Sequence, residues 1–381
     1  MIWRKDIPDL KRELKETSKL IKTTTDRERK FALVNYANCI ENAIYSIDED
    51  ADLKDIGETC TERDLSIYDS ICEENDEKLC KNYIETKSFH NRFLEDILYQ
   101  KESLGFEWDE NNFQMTEYSE SDFLEILYNF LKSIGQENLF YQIIQNGQIY
   151  SQKTDSYGNV GSTLYNPVTR KSIVFIRKPN LTLKTMGFVS HELGHVFDHN
   201  NMDINVKSYN EYLNNSFYVE VISRLFEKLL IDYIITNNID LKAAKYMLQS
   251  YDEEYYYNQF NAFLLSTLNN NFFIKKEPIE MDTETFYNQF NEYFDSIEEA
   301  KEHQEISGNF SLNEVYAYSY ADIIATFLFD EFKKNGFYNK AFKDFVKRRF
   351  TPFDRRIFDD NDWSPEKFGK LYQKEMQLLT K

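Results

Sequence analysis

The sequence predicts a mainly α-helical fold with one small β-sheet. Glycine and proline, the residues that most often interrupt helices, number only 11 and 6 among 381 residues, which favours long helices. Apolar residues recur at spacings of three and four in most segments, the period of an amphipathic helix. The texture changes at residues 148–178, where strand-like runs flank turn signals.

Residues 1–147 are predicted to form a helical N-terminal part. Apolar residues recur at helical spacing through most of this region, and Gly135 separates the last two helices that we expect in it. The predicted helices include about Arg27–Ser46, Phe123–Ile134 and Glu137–Gln145.

Residues 148–381 are predicted to form a second part that begins with the sheet. Ile149–Ser151 and Ser172–Ile176 have the composition of strands, and Asn166-Pro167 between them is a turn signal. We therefore expect a small antiparallel sheet. An edge strand of this sheet would either pair with an extended peptide through backbone hydrogen bonds or cover the core as a structural hairpin.

The most informative segment follows the sheet and reads His191-Glu192-Leu193-Gly194-His195. Residues four apart on a helix share a face, so His191 and His195 can bind one metal ion together. Zinc is the metal that this pattern indicates, with Glu192 as the general base for a water bound to it. The preceding run is helical in pattern, with Asn180 or Thr182 as the N-cap.

A catalytic zinc site of this kind needs a third protein ligand. Asp198 and His199 are near in sequence but lie less than one turn beyond His195. Glu220 is the better candidate, because it stands in an apolar turn of a predicted second helix, Ser216–Leu230, where a carboxylate is costly unless it is paired or metal-bound. The alternative is that Glu220 is an exposed helix residue. We therefore predict one Zn²⁺ per chain, bound by His191, His195 and Glu220.

These residues resemble the thimet oligopeptidase and oligoendopeptidase F family of zinc peptidases. The resemblance covers roughly residues 170–380 and rests on the His-Glu-x-x-His segment with Glu220 25 residues after His195. The run Tyr316-Ala317-Tyr318-Ser319-Tyr320-Ala321 is similar to the Tyr-x-Tyr-x-Tyr-Ala run of oligoendopeptidase F-like members. The later Asp362-Trp363-Ser364-Pro365-Glu366 has the family's helix start. The implied fold is a helical zincin-type metallopeptidase with a cleft between its helical parts.

The chain departs from the family pattern at several positions. Asp198 stands where many relatives carry a histidine, and residues 307–311 lack the histidine that precedes the tyrosine run in relatives. His303 lies too far upstream to replace it. Residues 347–352 replace a glycine-rich loop, and the chain is shorter than the usual member. The zinc site therefore looks intact, whereas the substrate-binding part is altered.

The resemblance implies that a tyrosine hydroxyl stabilises the developing oxyanion. Tyr320 and Tyr318 are the preferred candidates, followed by Tyr316. On a helix, successive members of this run are about 200° apart. A helical run would therefore turn Tyr320 and Tyr316 toward the site and leave Tyr318 behind them, whereas an extended run could present all three.

The predicted function is zinc-dependent hydrolysis of peptide bonds in short peptides, by zinc-bound water that Glu192 activates. One alternative is a zinc protease with a single protein target, and another is a non-catalytic zinc-stabilised binding protein. Glu192 argues against the second alternative, because a purely structural metal site does not use a general base.

Composition excludes several partners. The net charge of −20 repels phosphate backbones, so nucleic acid is not an expected partner. No run of eighteen apolar residues is present, so no membrane span is expected. The first residues lack the apolar run of a signal peptide, which predicts a cytoplasmic protein. The sequence makes no prediction of the oligomeric state.

Overall fold

The structure is a computed structural model. It describes residues 7–48, 51–53, 56, 59–71, 92–93, 115–145, 148–152, 161–177, 180–202, 209–210, 218–251, 254, 283–290, 296–298, 300–301, 312–349 and 355–380.

Helices dominate the described residues, as the sequence predicts. Side chains cap several of their first turns: Asp26, Ser119 and Asn339 each accept a hydrogen bond from the backbone N–H three residues later. The helices are Ile7–Thr23, Arg27–Ile47, 62–71, Glu120–Ser133, Glu137–Leu139, Leu183–Asn200, Val221–Thr236, 241–251, Thr283–Phe290, Leu312–Asn335, Lys340–Arg348, Arg356–Asp359 and Pro365–Thr380. A short π-helix, Phe140–Gln145, follows Glu137–Leu139. None of the described helices is long and apolar enough to cross a membrane.

The predicted sheet is present before the histidine motif, but its pairing is mixed rather than antiparallel. Its strands are β1 (Ile149–Gln152), β2 (Gly161–Asn166) and β3 (Lys171–Arg177), in the order β1-β3-β2. β2 and β3 are antiparallel, as expected for neighbours joined by a short turn, whereas β1 runs parallel to β3. The antiparallel prediction is therefore wrong for β1, because the chain forms β2 before β3 and no hairpin joins β1 to β3.

The sheet separates two hydrophobic cores. The side chains of β3 alternate between its two faces. Val174 and Ile176 lie in the larger core with the histidine-bearing helix, whereas Ile173 and Phe175 lie in the smaller core with the first two helices. Helix Glu120–Ser133 also packs in the larger core. The division of the chain at residue 147 stays a prediction.

Candidate metal centre

His191 and His195 lie one turn apart on the helix Leu183–Asn200, called the histidine helix below. The Thr182 side chain accepts a hydrogen bond from the backbone N–H of Thr185, which confirms Thr182 as the N-cap. Apolar residues of this helix are buried in the larger core, and its two imidazoles remain 12% and 13% exposed. The helix therefore holds both rings on one face while its opposite face is fixed by packing.

Gly194 allows a second helix to pack directly against the first. A Cβ on Gly194 would come within 2.6 Å of Ser223 Cα and 2.9 Å of the Ile222 carbonyl oxygen. These are backbone atoms of Val221–Thr236, called the Glu220 helix below, and they cannot swing aside as a side chain can. Because Gly194 has no side chain, the two helices can approach closely enough to place Glu220 next to the histidines.

His191, His195 and Glu220 form a cluster whose ligand atoms all lie within 4.8 Å of one another. Glu220 Oε2 is 3.2 Å from Nε2 of each histidine. Donors about 2.0–2.2 Å from one tetrahedral Zn²⁺ would lie roughly 3.3–3.6 Å apart, so the observed spacing suits a single ion. Two imidazoles and a carboxylate are also a donor set that catalytic zinc sites use, so the residues fit zinc.

Glu220 occupies the N-cap of its helix, one residue before Val221. The sequence placed it inside a helix that begins at Ser216, and this boundary is wrong: residues 218–220 form a turn, and 216 lies outside the described residues. The Ser223 hydroxyl lies 2.9 Å from Glu220 Oε2 and can donate to it. With its side chain only 15% exposed, Glu220 is not the exposed residue of the alternative interpretation.

Glu227 supports the other nitrogen of His191. Its Oε1 lies 2.5 Å from His191 Nδ1, while His191 Nε2 faces Glu220. Burial lowers the pKa of His191, but the Glu227 and Glu220 carboxylates outweigh this effect and raise that pKa well above its ordinary value. A carboxylate on the outer ring nitrogen fixes the tautomer and orientation of a metal-binding histidine.

Arg224 binds the second carboxylate oxygen of Glu227. It donates to Glu227 Oε2 at 2.9 Å and to Asp322 Oδ1 at 2.7 Å, and it is 2% exposed. The Tyr251 hydroxyl also donates to Asp322, at 2.8 Å. Glu227 and Arg224 were not predicted from the sequence, although buried charged residues on a mostly apolar helix were a usable signal.

Glu192 points toward strand β2 rather than toward solvent. It is 5% exposed, and the Thr163 hydroxyl lies 2.7 Å from its Oε2. A Cβ on Gly161 would come within 2.6 Å of Glu192 Oε1, so a larger residue there would force the Glu192 side chain to shift. Burial raises the pKa of Glu192 above its ordinary value, although His191 and His195 act in the opposite direction. Neither Thr163 nor Gly161 was predicted from the sequence as part of the site.

The tyrosine run is helical, because it lies in Leu312–Asn335, called the tyrosine helix below. Tyr318 faces the site: the charge of Glu220, followed by burial, raises its pKa well above the ordinary value, and its ring lies 5.7 Å from the Arg224 guanidinium. Tyr320 is 1% exposed and packs in the larger core. For Tyr318 and Tyr320 the predicted orientation is therefore reversed. The side chain of Tyr316 lies outside the described residues.

Other residues weighed from the sequence have different partners. Asp198 forms a buried ion pair with Arg349. His199 stacks on Tyr165 with ring centroids 4.5 Å apart. Neither belongs to the metal cluster. His303 and residues 307–311 lie outside the described residues.

No protein-family model and no curated protein matches the chain. Among solved structures, PZ peptidase A with an inhibitor is similar at 14% identity and a TM-score of 0.51, over 100% of this chain and 78% of that one. A protein from Bacillus anthracis str. Ames, provisionally named oligoendopeptidase F, gives 14% identity and a TM-score of 0.49 over 100% and 76%. A provisionally named peptidase from Chlamydophila abortus gives 15% and 0.49 over 93% and 62%.

The similarity to PZ peptidase A shows a shared fold at very low sequence identity. The helical class and the fold-level resemblance to oligopeptidases that the sequence predicts are therefore confirmed. The chain spans 62% of the Chlamydophila abortus protein, so it is markedly shorter than that structure.

Proposed function

We propose that this chain is a zinc-dependent endopeptidase that hydrolyses peptide bonds in short peptides. The observation that carries the proposal is the close approach of three donors of the kind that zinc binds. The buried carboxylate of Glu192 lies on the same helix as two of them, His191 and His195. His191, His195 and Glu220 would hold one Zn²⁺, which when bound acts as a Lewis acid on a carbonyl and makes water more acidic.

Glu192 would serve as the general base. Its position one residue after His191 puts it at the border of the metal-binding face, and Thr163 holds one of its oxygens. It would accept a proton from the attacking water and return it to the leaving amine. Burial between the helix and β2 keeps its carboxylate in one orientation, which suits repeated proton transfer.

A tyrosine hydroxyl would donate a hydrogen bond to the oxyanion that develops on the scissile carbonyl. The proximity of Tyr318 to Glu220 and Arg224 supports Tyr318 for this role. The burial of Tyr320 in the larger core makes it the weaker candidate. Tyr316, one helical half-turn before Tyr318, stays a third candidate.

Strand β2 would align the substrate. In the described part of the chain it pairs with β3 on one edge, and Thr163 and Gly161 contact Glu192 from it. An extended peptide could add to the other edge through backbone hydrogen bonds. The alternative, a structural hairpin that only covers the core, predicts no effect of peptide backbone methylation on cleavage.

The decisive experiment incubates the purified, zinc-loaded protein with a mixed library of short peptides, with and without a chelator, and reads cleavage by mass spectrometry. We expect cleavage that the chelator abolishes and zinc restores. Glu192→Gln should retain zinc and lose about 10²–10⁴-fold in rate. His191→Ala should lose zinc.

Two other outcomes would favour the alternatives. Full zinc occupancy without cleavage of any peptide would contradict the proposal and favour a non-catalytic zinc-stabilised binding protein. Cleavage restricted to one folded protein, with every short peptide left intact, would favour a protease with a single target.

A further inference from the structure

A cavity of about 260 Å³ opens beside the metal centre. Three helices form it: the histidine helix, the Glu220 helix and residues 241–251. Its apolar lining consists of Gly187, Phe188, Ile231, Tyr246, Met247 and Tyr251. These residues make a cavity with a mostly apolar interior and a polar rim.

The cavity adjoins the candidate metal centre through Glu227, on the side of the His191 ring away from Glu220. Glu227 contributes to its wall and also contacts His191 Nδ1 at 2.5 Å. Gly187 and Phe188 lie four and three residues before His191, so they occupy the same face of the histidine helix, one turn toward its N-terminus. A peptide bound with its scissile bond at the metal would therefore have a neighbouring side chain within reach of the cavity.

The two carboxylates at the rim are already paired. Glu227 and Glu254 both accept hydrogen bonds from Arg224 Nη1, at 2.9 and 3.2 Å. The Lys184 ammonium lies 5.4 Å from the centre of the Tyr246 ring. An acidic ligand group would meet two carboxylates, whereas a neutral apolar group would meet aromatic and aliphatic surface without disturbing any ion pair.

The size of the cavity suits one side chain rather than a whole ligand. Clefts that take complete small molecules measure roughly 300–1,000 Å³, and this cavity is smaller. We propose that it is a substrate subsite for one large apolar or aromatic side chain near the scissile bond. This inference rests on the proposed peptidase function.

A larger side chain at Gly187 can fill the cavity. A Cβ at this position would lie 3.1 Å from Met247 Cε, the far end of a flexible side chain, so Met247 can move aside. Replacing a glycine inside a helix also raises helix propensity. Gly187→Leu should therefore fold and occupy the space, whereas Met247→Ala should enlarge it.

The test uses peptides of one common sequence in which each position in turn is Ala, Leu, Phe, Trp or Glu. For the wild-type protein we expect kcat/KM to favour Leu or Phe over Ala and Glu at one position. Gly187→Leu should lower the kcat/KM ratio of Leu or Phe peptides to Ala peptides by about tenfold or more, and Met247→Ala should shift the preference toward Trp. Leu241→Ala, on an exposed residue of the same 241–251 helix, is the matched control and should keep the preference.

Binding separates this inference from the proposed function. The same peptides are titrated calorimetrically into zinc-loaded Glu192→Gln, with and without Gly187→Leu. If the wild-type protein cleaves nothing but Glu192→Gln prefers the large apolar side chain and Gly187→Leu abolishes that preference, the subsite stands and the peptidase fails. If Gly187→Leu weakens all peptides equally, or none, the subsite is overturned.

Discussion

The Glu227 carboxylate lies 2.5 Å from Nδ1 of His191, on the side of the ring away from Glu220. Glu220 and Glu227 are seven residues apart, two helical turns, so one helix brings carboxylates to both nitrogens of the same imidazole. One of them is a candidate metal ligand, and the other holds the ring in place.

Glu227→Gln should weaken zinc binding by about 10- to 100-fold, because the outer partner of a metal-binding histidine sets its tautomer and basicity. The measurement is zinc affinity in competition with a chromogenic chelator. Asp232→Asn is the control, because Asp232 is on the same helix but pairs with Lys333. Equal affinities for wild type and Glu227→Gln would contradict the assigned role.

Gly194→Ala should destabilise the protein by about 1–3 kcal/mol, because the added methyl would overlap the backbone at Ser223. Zinc affinity should fall as well, since the displaced helix carries Glu220. Gly187→Ala on the same helix is the control: its methyl meets only the movable end of Met247, and a stability equal to or above wild type is expected. Urea unfolding of both variants measures the difference.

Thr163→Val should lower kcat by roughly 10- to 100-fold while zinc content stays unchanged, because it removes a hydrogen bond to the charged Glu192. Thr163→Ser keeps the hydroxyl and should recover most of the activity. Steady-state kinetics with metal analysis distinguishes the two effects. A Thr163→Val enzyme with wild-type kcat would mean that the strand does not position the base.

Tyr318→Phe should lower kcat by about 10²–10³-fold, the usual effect of losing one oxyanion donor. Tyr320→Phe should have a smaller effect on kcat, because Tyr320 packs in the core. Both variants should bind zinc normally. A larger loss of kcat in Tyr320→Phe than in Tyr318→Phe would favour Tyr320 as the oxyanion donor.

His199 should make the protein acid-sensitive. Burial, with a smaller contribution from His195, lowers its pKa to about 3, so the folded state keeps it neutral. The unfolded chain takes up that proton as the pH falls below about 6.5, and stability is lost between there and about pH 3. His199→Phe keeps an aromatic ring against Tyr165 and should reduce the loss by about 1.4 kcal/mol per pH unit between pH 6 and 4. Urea unfolding at several pH values gives both slopes, and equal slopes would contradict the assignment.

The candidate metal ligands could be predicted because their signals are local. The spacing of His191 and His195 fixes a shared helix face, and Glu220 is conspicuous as a charge among apolar residues. The start of the second helix was placed too early: the helix begins at Val221, and its first turn packs against Gly194. Such packing joins residues far apart in sequence, which periodicity alone does not reveal.

The position of Tyr318 beside the candidate metal centre could have been predicted from Asp322. This carboxylate stands in the apolar run Ala321-Asp322-Ile323-Ile324 and therefore needs a buried partner. Its partner is Arg224. Tyr318 lies one turn before Asp322 on the same face, whereas Tyr320 points elsewhere. The parallel pairing of β1 with β3 had no comparable signal, because strand order is set by long-range contacts.

The alternation along β3 ties the first two helices to the chemistry proposed for Glu192. Ile173 and Phe175 anchor those helices, Val174 and Ile176 anchor the histidine helix, and Thr163 of β2 is paired with Val174. Removal of the N-terminal helices would expose one face of β3, the strand that pairs with β2. Unfolding should therefore be a single cooperative transition, and a protease cut that releases the N-terminal helices should abolish the proposed activity although every candidate metal ligand stays in place.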